Sequence, residues 1–296
     1  MDKFNSDGVM NHISNKISHK LNEIGIMFRI FSRTKERHSL EKKLNSSSDY
    51  GISKKLQDLI GIRVVLYFND DIDTVRNIIS SIYSERSTDV SIDEHTKDEF
   101  KAVRYNIVYN IDPDNIKRLN LGSESSRIDT TFELQIRTIF SEGWHEVEHD
   151  LRYKCNDDWK GFDSHSRRLN GVYASLETSE WTMIKIFDEL AYSHYKNQEW
   201  PAMFRQKFRL RFTDSNIDDD LNSIFKDTDL AKRFFRLDRQ KILLKMCEYE
   251  FYYPVTISNL IYFCNLIEIN DSRILELTPS ILIEDINSSA TENMSV

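Results

Sequence analysis

The sequence predicts an α+β fold, with a sheet-containing N-terminal part to about residue 160 followed by an all-helical C-terminal extension. Three observations carry this. Among 296 residues there are only Gly 8 and Pro 4, while charged residues reach 30%, a balance that favours helices joined by few tight turns. Ile60 to Phe68 reads IGIRVVLYF, the strongest run of β-branched residues in the chain. From Arg167 onward, apolar residues recur at helical spacing instead of alternating.

Met10, Ile13, Ile17, Leu21 and Ile24 repeat every three or four residues, so residues 8–28 read as an amphipathic helix. Phe28 to Phe31 reads as a short strand, and Ser39 as the N-cap of a helix running through Leu44. After the strand at 60–68, a helix is expected from about Ile72 to Ser84. Strands are expected at Val103–Ile111 and Ile128–Arg137, then a helix over Ile139–Tyr153. That last helix would turn Ile139, Phe140, Gly143, Trp144, Val147 and Leu151 inward. Leu169, Tyr173, Leu176, Ile184, Phe187 and Leu190 mark one long helix, with others over roughly 218–250 and 256–268. The domain reading is 1–160, then a helical extension over 161–286, then a disordered polar tail over 287–296.

A net charge of −8 argues against coating a nucleic acid non-specifically, which requires surplus Lys and Arg. Cys155, Cys247 and Cys264 are scattered and form no C-x-x-C pair, so neither a disulfide framework nor a zinc site is expected. The first residues lack a signal-peptide apolar run, and the most apolar stretch, Ile257 to Ile269, is interrupted by Asn259 and Asn265. The expected location is the cytoplasm, with no membrane contact.

The chemistry-bearing residues cluster in the first part. On a strand, Phe132, Leu134 and Ile136 face one way, and Glu133, Gln135 and Arg137 the other. That polar row is open to two readings, a solvated outer face or the wall of a cleft. Arg63 is the only charge within the run 60–68, and Asp58 stands just before it. An Asp at a strand mouth and a Glu on a neighbouring strand suit a Mg²⁺ site completed by substrate phosphates, although Asp58 also suits a turn. Glu142, Glu146, His149 and Tyr153 share one helix face, where His149 is open to a structural role or a phosphate-orienting one. Arg33, Lys35, Ser39 and Lys43 are four phosphate-competent groups within eleven residues, or else a solvated basic helix.

In combination these stretches resemble the RelA/SpoT alarmone synthetase domain. Asp58-Leu-Ile-Gly-Ile-Arg63 is similar to the family's D-[LI]-x-[GA]-[IV]-R motif, and Glu133-Leu-Gln-Ile-Arg137-Thr138 to its E-[IV]-Q-[IV]-R-T motif. Trp144, Glu148-His149 and Tyr153-Lys154 resemble the helix that follows, and Arg33-x-Lys35 with Ser39 and Lys43 the ATP-side signature. The resemblance implies a nucleotidyltransferase-like mixed sheet flanked by helices, and transfer of pyrophosphate from ATP to the 3′-hydroxyl of GTP or GDP. It implies Mg²⁺ on Asp58 and Glu133, with Glu133 also as base. It implies ATP on Arg33, Lys35, Ser39, Lys43 and Arg63, and an acceptor and phosphate side shaped by Gln135, Arg137, His149 and Lys154. The family's G-Y-x-S-x-H loop has its counterpart in Glu99-Phe100-Lys101-Ala102-Val103-Arg104. Phe100 would stack on the base there, Arg104 stands where the family has His, and Glu142 would accept hydrogen bonds from guanine.

Two other functions stay open on the sequence: a toxic relative that pyrophosphorylates the 3′ end of tRNA, and an inactive nucleotide-binding regulator. The partners expected are ATP and a guanine nucleotide, with tRNA, a second copy of the chain or a neutralising protein as further expectations. Arg205, Lys207, Arg209 and Arg211, then Lys232, Arg233, Arg236, Arg239 and Lys241, read as an RNA or acidic-partner footprint or as ordinary basic helix faces.

Overall fold

The computed structural model describes residues 5–86, 91–92, 105–214 and 216–293. The chain divides into two compact units, one of Met1–Ser18 with Phe28–Glu180 and one of His19–Met27 with Trp181–Val296.

The first unit is built on a mixed five-stranded sheet in the order β1-β2-β5-β4-β3. The strands are β1 (Phe28–Thr34), β2 (Ile60–Leu66), β3 (Ser91–Ile92), β4 (Tyr105–Asn110) and β5 (Thr131–Thr138). β2 and β5 run parallel, and every other pair is antiparallel. Alternation splits the sheet into two faces. Ile60, Ile62, Val64, Leu66, Phe132, Leu134, Ile136, Ile107 and Tyr109 are all buried and form the core face. The helix α1 (Ser6–Ile24) buries Val9, Ile13 and Ile17, and α3 (Ile72–Ile82) buries Val75, Ile78 and Ile79, as their helical spacing requires. Between them, α2 (Arg37–Asn45) buries Leu40 and Leu44. The chain then runs through α4 (Pro113–Leu119) to β5 and out along α5 (Ile139–Glu148).

Two helix readings need correction. The N-cap of α2 is Glu36, so Ser39 lies inside the first turn and is exposed. On α5 the inward residues are Ser141, Trp144, His145 and Glu148, whereas Ile139, Val147 and Leu151 are exposed. The strand hands over to the helix through Thr138, whose hydroxyl accepts from the Ser141 amide in a capping box. That cap sets the phase of the helix, and the polar members turn inward because partners await them. Arg152 donates to Glu148 at 3.3 Å, and Trp144 packs on Tyr173 with ring centroids 4.8 Å apart. A π-helical turn, His149–Tyr153, continues α5 before α6 (Asp163–Lys196).

The second unit is helical. α7 (Trp200–Phe208), α8 (Asp219–Ile224), α9 (Thr228–Phe235), α10 (Arg239–Glu248), α11 (Ile257–Cys264), α12 (Ser272–Leu277) and α13 (Ser280–Asn293) enclose Phe204, Phe208, Phe225, Phe234 and Phe263. The helical span expected over 218–250 is divided into three helices, because Asp227 and Asp238 cap new starts with their carboxylates. The last helix runs to Asn293, where the composition suggests a polar tail from residue 287. Gly25 ends α1 at φ +80°, and its carbonyl accepts from the Arg211 amide at 2.7 Å. Several basic residues of this unit serve it internally. Arg209 is buried and bonds Asp188 at 3.1 Å, Arg239 donates to the Phe208 carbonyl at 2.6 Å, and Lys241 pairs with Glu268 at 2.6 Å. No helix of the described residues is long and apolar enough to cross a membrane.

Candidate active site

The second face of the sheet carries the site, and the strand register lays it out in rows. Arg33, Gly61, Glu133 and Val108 stand side by side across β1, β2, β5 and β4. One row along come Phe31, Arg63, Gln135 and Asn106, and beyond them Arg29, Val65 and Arg137. The alternation expected from Phe132 to Arg137 is therefore met, since the polar members share a face and the apolar ones are buried. Gly61 leaves the space between Arg33 and Glu133 free of a side chain. Arg33 lies across it, its Cγ 3.7 Å from where a Cβ would stand.

At one end of this face is a cation–carboxylate cluster. Asp58, two residues before β2, takes hydrogen bonds on Oδ2 from Lys35 Nζ at 2.6 Å and Lys43 Nζ at 2.7 Å. Its other oxygen, Oδ1, is buried with no hydrogen-bond partner among the described residues. Burial by itself would raise the Asp58 pKa, but the two lysines outweigh it and hold the carboxyl below its usual range. Burial likewise opposes the charge on Lys43, and Asp58, with Glu133 behind it, raises that ammonium's pKa nonetheless. Asp58, Lys43 and Glu133 line one cleft of about 880 Å³, together with residues 50–58, Arg86, Asn106, Val108, Ser126 and Asp129. Asp58 Oδ1 and the Glu133 carboxylate are hard oxygen donors suited to a divalent cation, with the remaining positions left to phosphate and water.

The other end is a hydrogen-bonded lattice. Arg63 donates to Gln135 Oε1 at 3.0 Å and, through one nitrogen, to Glu142 and Glu146 at 2.6 Å each. Arg137 takes the second oxygen of Glu142 at 2.8 Å and reaches Gln135 Oε1 at 3.2 Å. Gln135 in turn donates to Glu133 Oε1 at 3.1 Å, which ties the lattice to the cleft end. Burial disfavours the Arg63 charge, yet Glu142 and Glu146 raise its pKa above the ordinary value. Thr138 anchors α5 against this face, and its hydroxyl also donates to the buried Glu180 of α6.

The expected residues thus fall into four groups. Asp58, Glu133 and Lys43 line the cleft, with Lys35 bonded to Asp58, Arg33 in the sheet row of Glu133, and Ser39 exposed on α2. Arg63, Gln135, Arg137 and Glu142 form the lattice. His149 and Lys154 are exposed and share Asp150, at 3.0 and 2.6 Å, with His149 stacked on Tyr153. Phe100 and Arg104 lie outside the described residues. Sequence reasoning missed the roles of Glu146 and of the Arg86–Asp129 ion pair at the cleft. The i, i+4 spacing of Glu142 and Glu146 was a usable signal for the first, whereas 43 residues separate the members of the second.

Residues 32–158 match the family model described as a region found in RelA / SpoT proteins. Among solved structures, small alarmone synthetase 2 from Bacillus subtilis is 22% identical, with 62% of this chain and 98% of that one covered and a TM-score of 0.46. Small alarmone synthetase 1 from the same organism, bound to its product pppGpp, is 21% identical over 61% and 94%, with a TM-score of 0.46. A GTP pyrophosphokinase family protein from Streptococcus pneumoniae is 21% identical over 62% and 90%, with a TM-score of 0.45. No curated protein matches the chain.

Proposed function

With residues 32–158 forming a RelA/SpoT region, we propose that this chain is a pyrophosphotransferase that moves the β,γ-pyrophosphate of ATP to the 3′-hydroxyl of GTP or GDP. The observation that carries the reading is the pairing of Asp58 and Glu133 on one cleft. Asp58 keeps a buried oxygen unbonded there, Lys35 and Lys43 hold its other oxygen, and Arg33 shares a sheet row with Glu133. A fully paired carboxylate would suggest a scaffold. A half-paired one among cations suits a site awaiting phosphate.

Asp58 and Glu133 are the residues that would hold Mg²⁺, which supplies charge neutralisation for the phosphates when bound. Lys35 and Lys43 exchange their bond to Asp58 for the ATP phosphates, and Arg33 adds a planar guanidinium. Glu133 accepts the proton from the acceptor 3′-hydroxyl. The oxygen attacks the β-phosphorus as the α–β phosphoanhydride bond breaks, and AMP leaves with the electron pair. The chain's own contribution is position and charge: Arg33 shares a sheet row with the base Glu133, and Lys35 and Lys43 stand ready on Asp58. Glu142 contributes to the lattice in this reading and not to guanine recognition, because each of its oxygens already accepts from an arginine.

Incubation with Mg²⁺ and γ-labelled ATP, with GDP, GTP or bulk tRNA as acceptor, tests this. Label on a guanine nucleotide is the expected result. Label on tRNA alone would move the acceptor to a polynucleotide end, and no transfer to any acceptor would defeat the enzyme reading.

A further inference from the structure

Resting on the ATP-dependent reading above, we infer that Lys35 and Lys43 lock Asp58 against free divalent cation, so that the ion is admitted only together with a polyphosphate. Both ammoniums sit on the same oxygen of Asp58, Oδ2, at 2.6 and 2.7 Å, while Oδ1 is buried without a hydrogen-bond partner among the described residues. The second carboxylate is also held, because Gln135 donates to Glu133 Oε1 at 3.1 Å. Each of the two oxygen donors suited to a metal thus keeps part of its capacity in a bond to the chain.

The balance of charge gives the lock its sign. Arg33, Lys35 and Lys43 stand with Asp58 and Glu133, three cations against two carboxylates, and the Arg86–Asp129 pair of the cleft cancels itself. A bare divalent ion would enter a cluster that is already net positive. It would also have to push an ammonium off Asp58 while keeping that ammonium as a neighbour, and like charges this close repel strongly. A polyphosphate changes both conditions. Its oxygens accept from the ammoniums, which releases Oδ2, and its charge reverses the sign of the cluster. Through the lysines, anion and ion favour each other's binding, a coupling of equal size in both directions.

The two lysines do not play equal parts. Lys35 is fixed by the main chain, since its amide donates to the Leu59 carbonyl at 2.9 Å, one residue from Asp58. Lys43 reaches in from α2 on a side chain that is 42% exposed, and it lines the open cleft. An anion entering by the cleft meets Lys43 before Lys35. Lys43 is therefore the movable half of the lock.

The test separates the ion from the anion. Mn²⁺, a paramagnetic substitute for Mg²⁺, is titrated alone into the nucleotide-free protein and followed by electron paramagnetic resonance. The Mn²⁺ complex of a non-cleavable ATP analogue is titrated separately by calorimetry. In Lys43→Met, free Mn²⁺ should bind about tenfold or more tightly than in wild type, as loss of one adjacent opposite charge implies for a carboxylate. The same variant should bind the analogue complex more weakly, and adding Asp58→Asn should erase the gain for free Mn²⁺. Arg37→Met removes an equal charge from the exposed start of α2, where Arg37 pairs with Glu41 at 3.1 Å, and should leave free Mn²⁺ binding unchanged. Weakening of ion and complex together, in Lys43→Met and in the milder Lys43→Gln, would make Lys43 structural and overturn the inference. An equal gain in Arg37→Met would overturn it by reducing the effect to net charge. Unchanged Mn²⁺ binding in Lys43→Met would overturn it while leaving the transferase reading intact, whereas a wild type that binds neither ion nor complex would overturn both.

Discussion

The two ends of the polar sheet face look alike in sequence and behave differently in space. Each holds carboxylates and cations on neighbouring segments. In the lattice of Arg63, Gln135, Arg137, Glu142 and Glu146, both oxygens of Glu142 accept from arginines, and a glutamine links the two guanidiniums. At the cleft end, two lysines crowd one oxygen of Asp58 while the other stays buried and unbonded. A carboxylate paired on both oxygens, as Glu142 is, resists rearrangement and acts as a brace. One that is half satisfied has bonding capacity reserved for something else. On the proposed reading the first end is scaffold and the second carries the chemistry, although both derive from equally charged motifs.

The largest effect should follow from disturbing the chemical end. Glu133→Gln keeps the shape and the contact to Gln135 but cannot take a proton. Transfer should fall about a thousandfold, with a melting temperature within about 2 °C of wild type. Collapse of the circular dichroism spectrum in that variant would return Glu133 to structure. The lattice should respond the opposite way. Glu142→Ala leaves Arg63 and Arg137 without their shared carboxylate, and urea unfolding should record a loss of about 2 kcal/mol. Its effect on transfer should be far smaller than that of Glu133→Gln. Glu146→Ala is a weaker version, because that side chain is 55% exposed and Arg63 keeps Glu142. It should cost under about 1 kcal/mol. Equal losses from Glu142→Ala and Glu146→Ala would erase the idea of a buried brace.

How legible this was in the sequence depended on whether the cause was local. Strand alternation put Glu133, Gln135 and Arg137 on one face, and the β-branched run 60–66 became β2, an interior strand. Both follow from the two-residue period of a strand. The inward face of α5 was misread because hydrophobicity was taken as the guide. Glu148 and His145 turn inward while Val147 and Leu151 stay exposed, a choice made by Thr138 at the helix start and by Arg152 and Tyr173 beyond its end. Likewise Lys35 and Lys43 were legible as phosphate-competent cations. That both rest on Asp58 depends on a loop bringing residue 58 back to residues 35 and 43, which no local pattern encodes. The basic run from Arg205 to Arg211 was open to a footprint or an ordinary basic helix face, and Arg209 lies buried against Asp188.

The smallest expected effect is also the one that compares charge states directly. Asp58 has its folded pKa lowered, so its contribution to stability is present above the ordinary aspartate value and lost as pH falls through the folded one. In Asp58→Asn the acid limb should therefore be shallower, the gap from wild type staying constant above about pH 5 and shrinking below about pH 4. Glu180 is the opposite case: burial raises its pKa against the Thr138 hydrogen bond that lowers it, and nearby Glu177 raises it further. Its folded form holds a proton more tightly than the unfolded chain, so stability falls as pH climbs from the usual glutamate value toward the folded one. Glu180→Gln retains an acceptor for Thr138 and removes that slope, so its advantage over wild type should grow as pH rises above the usual glutamate value. Urea midpoints as pH is varied measure both. Slopes of the same sign in the two variants would mean that Asp58 and Glu180 do not differ as their surroundings require.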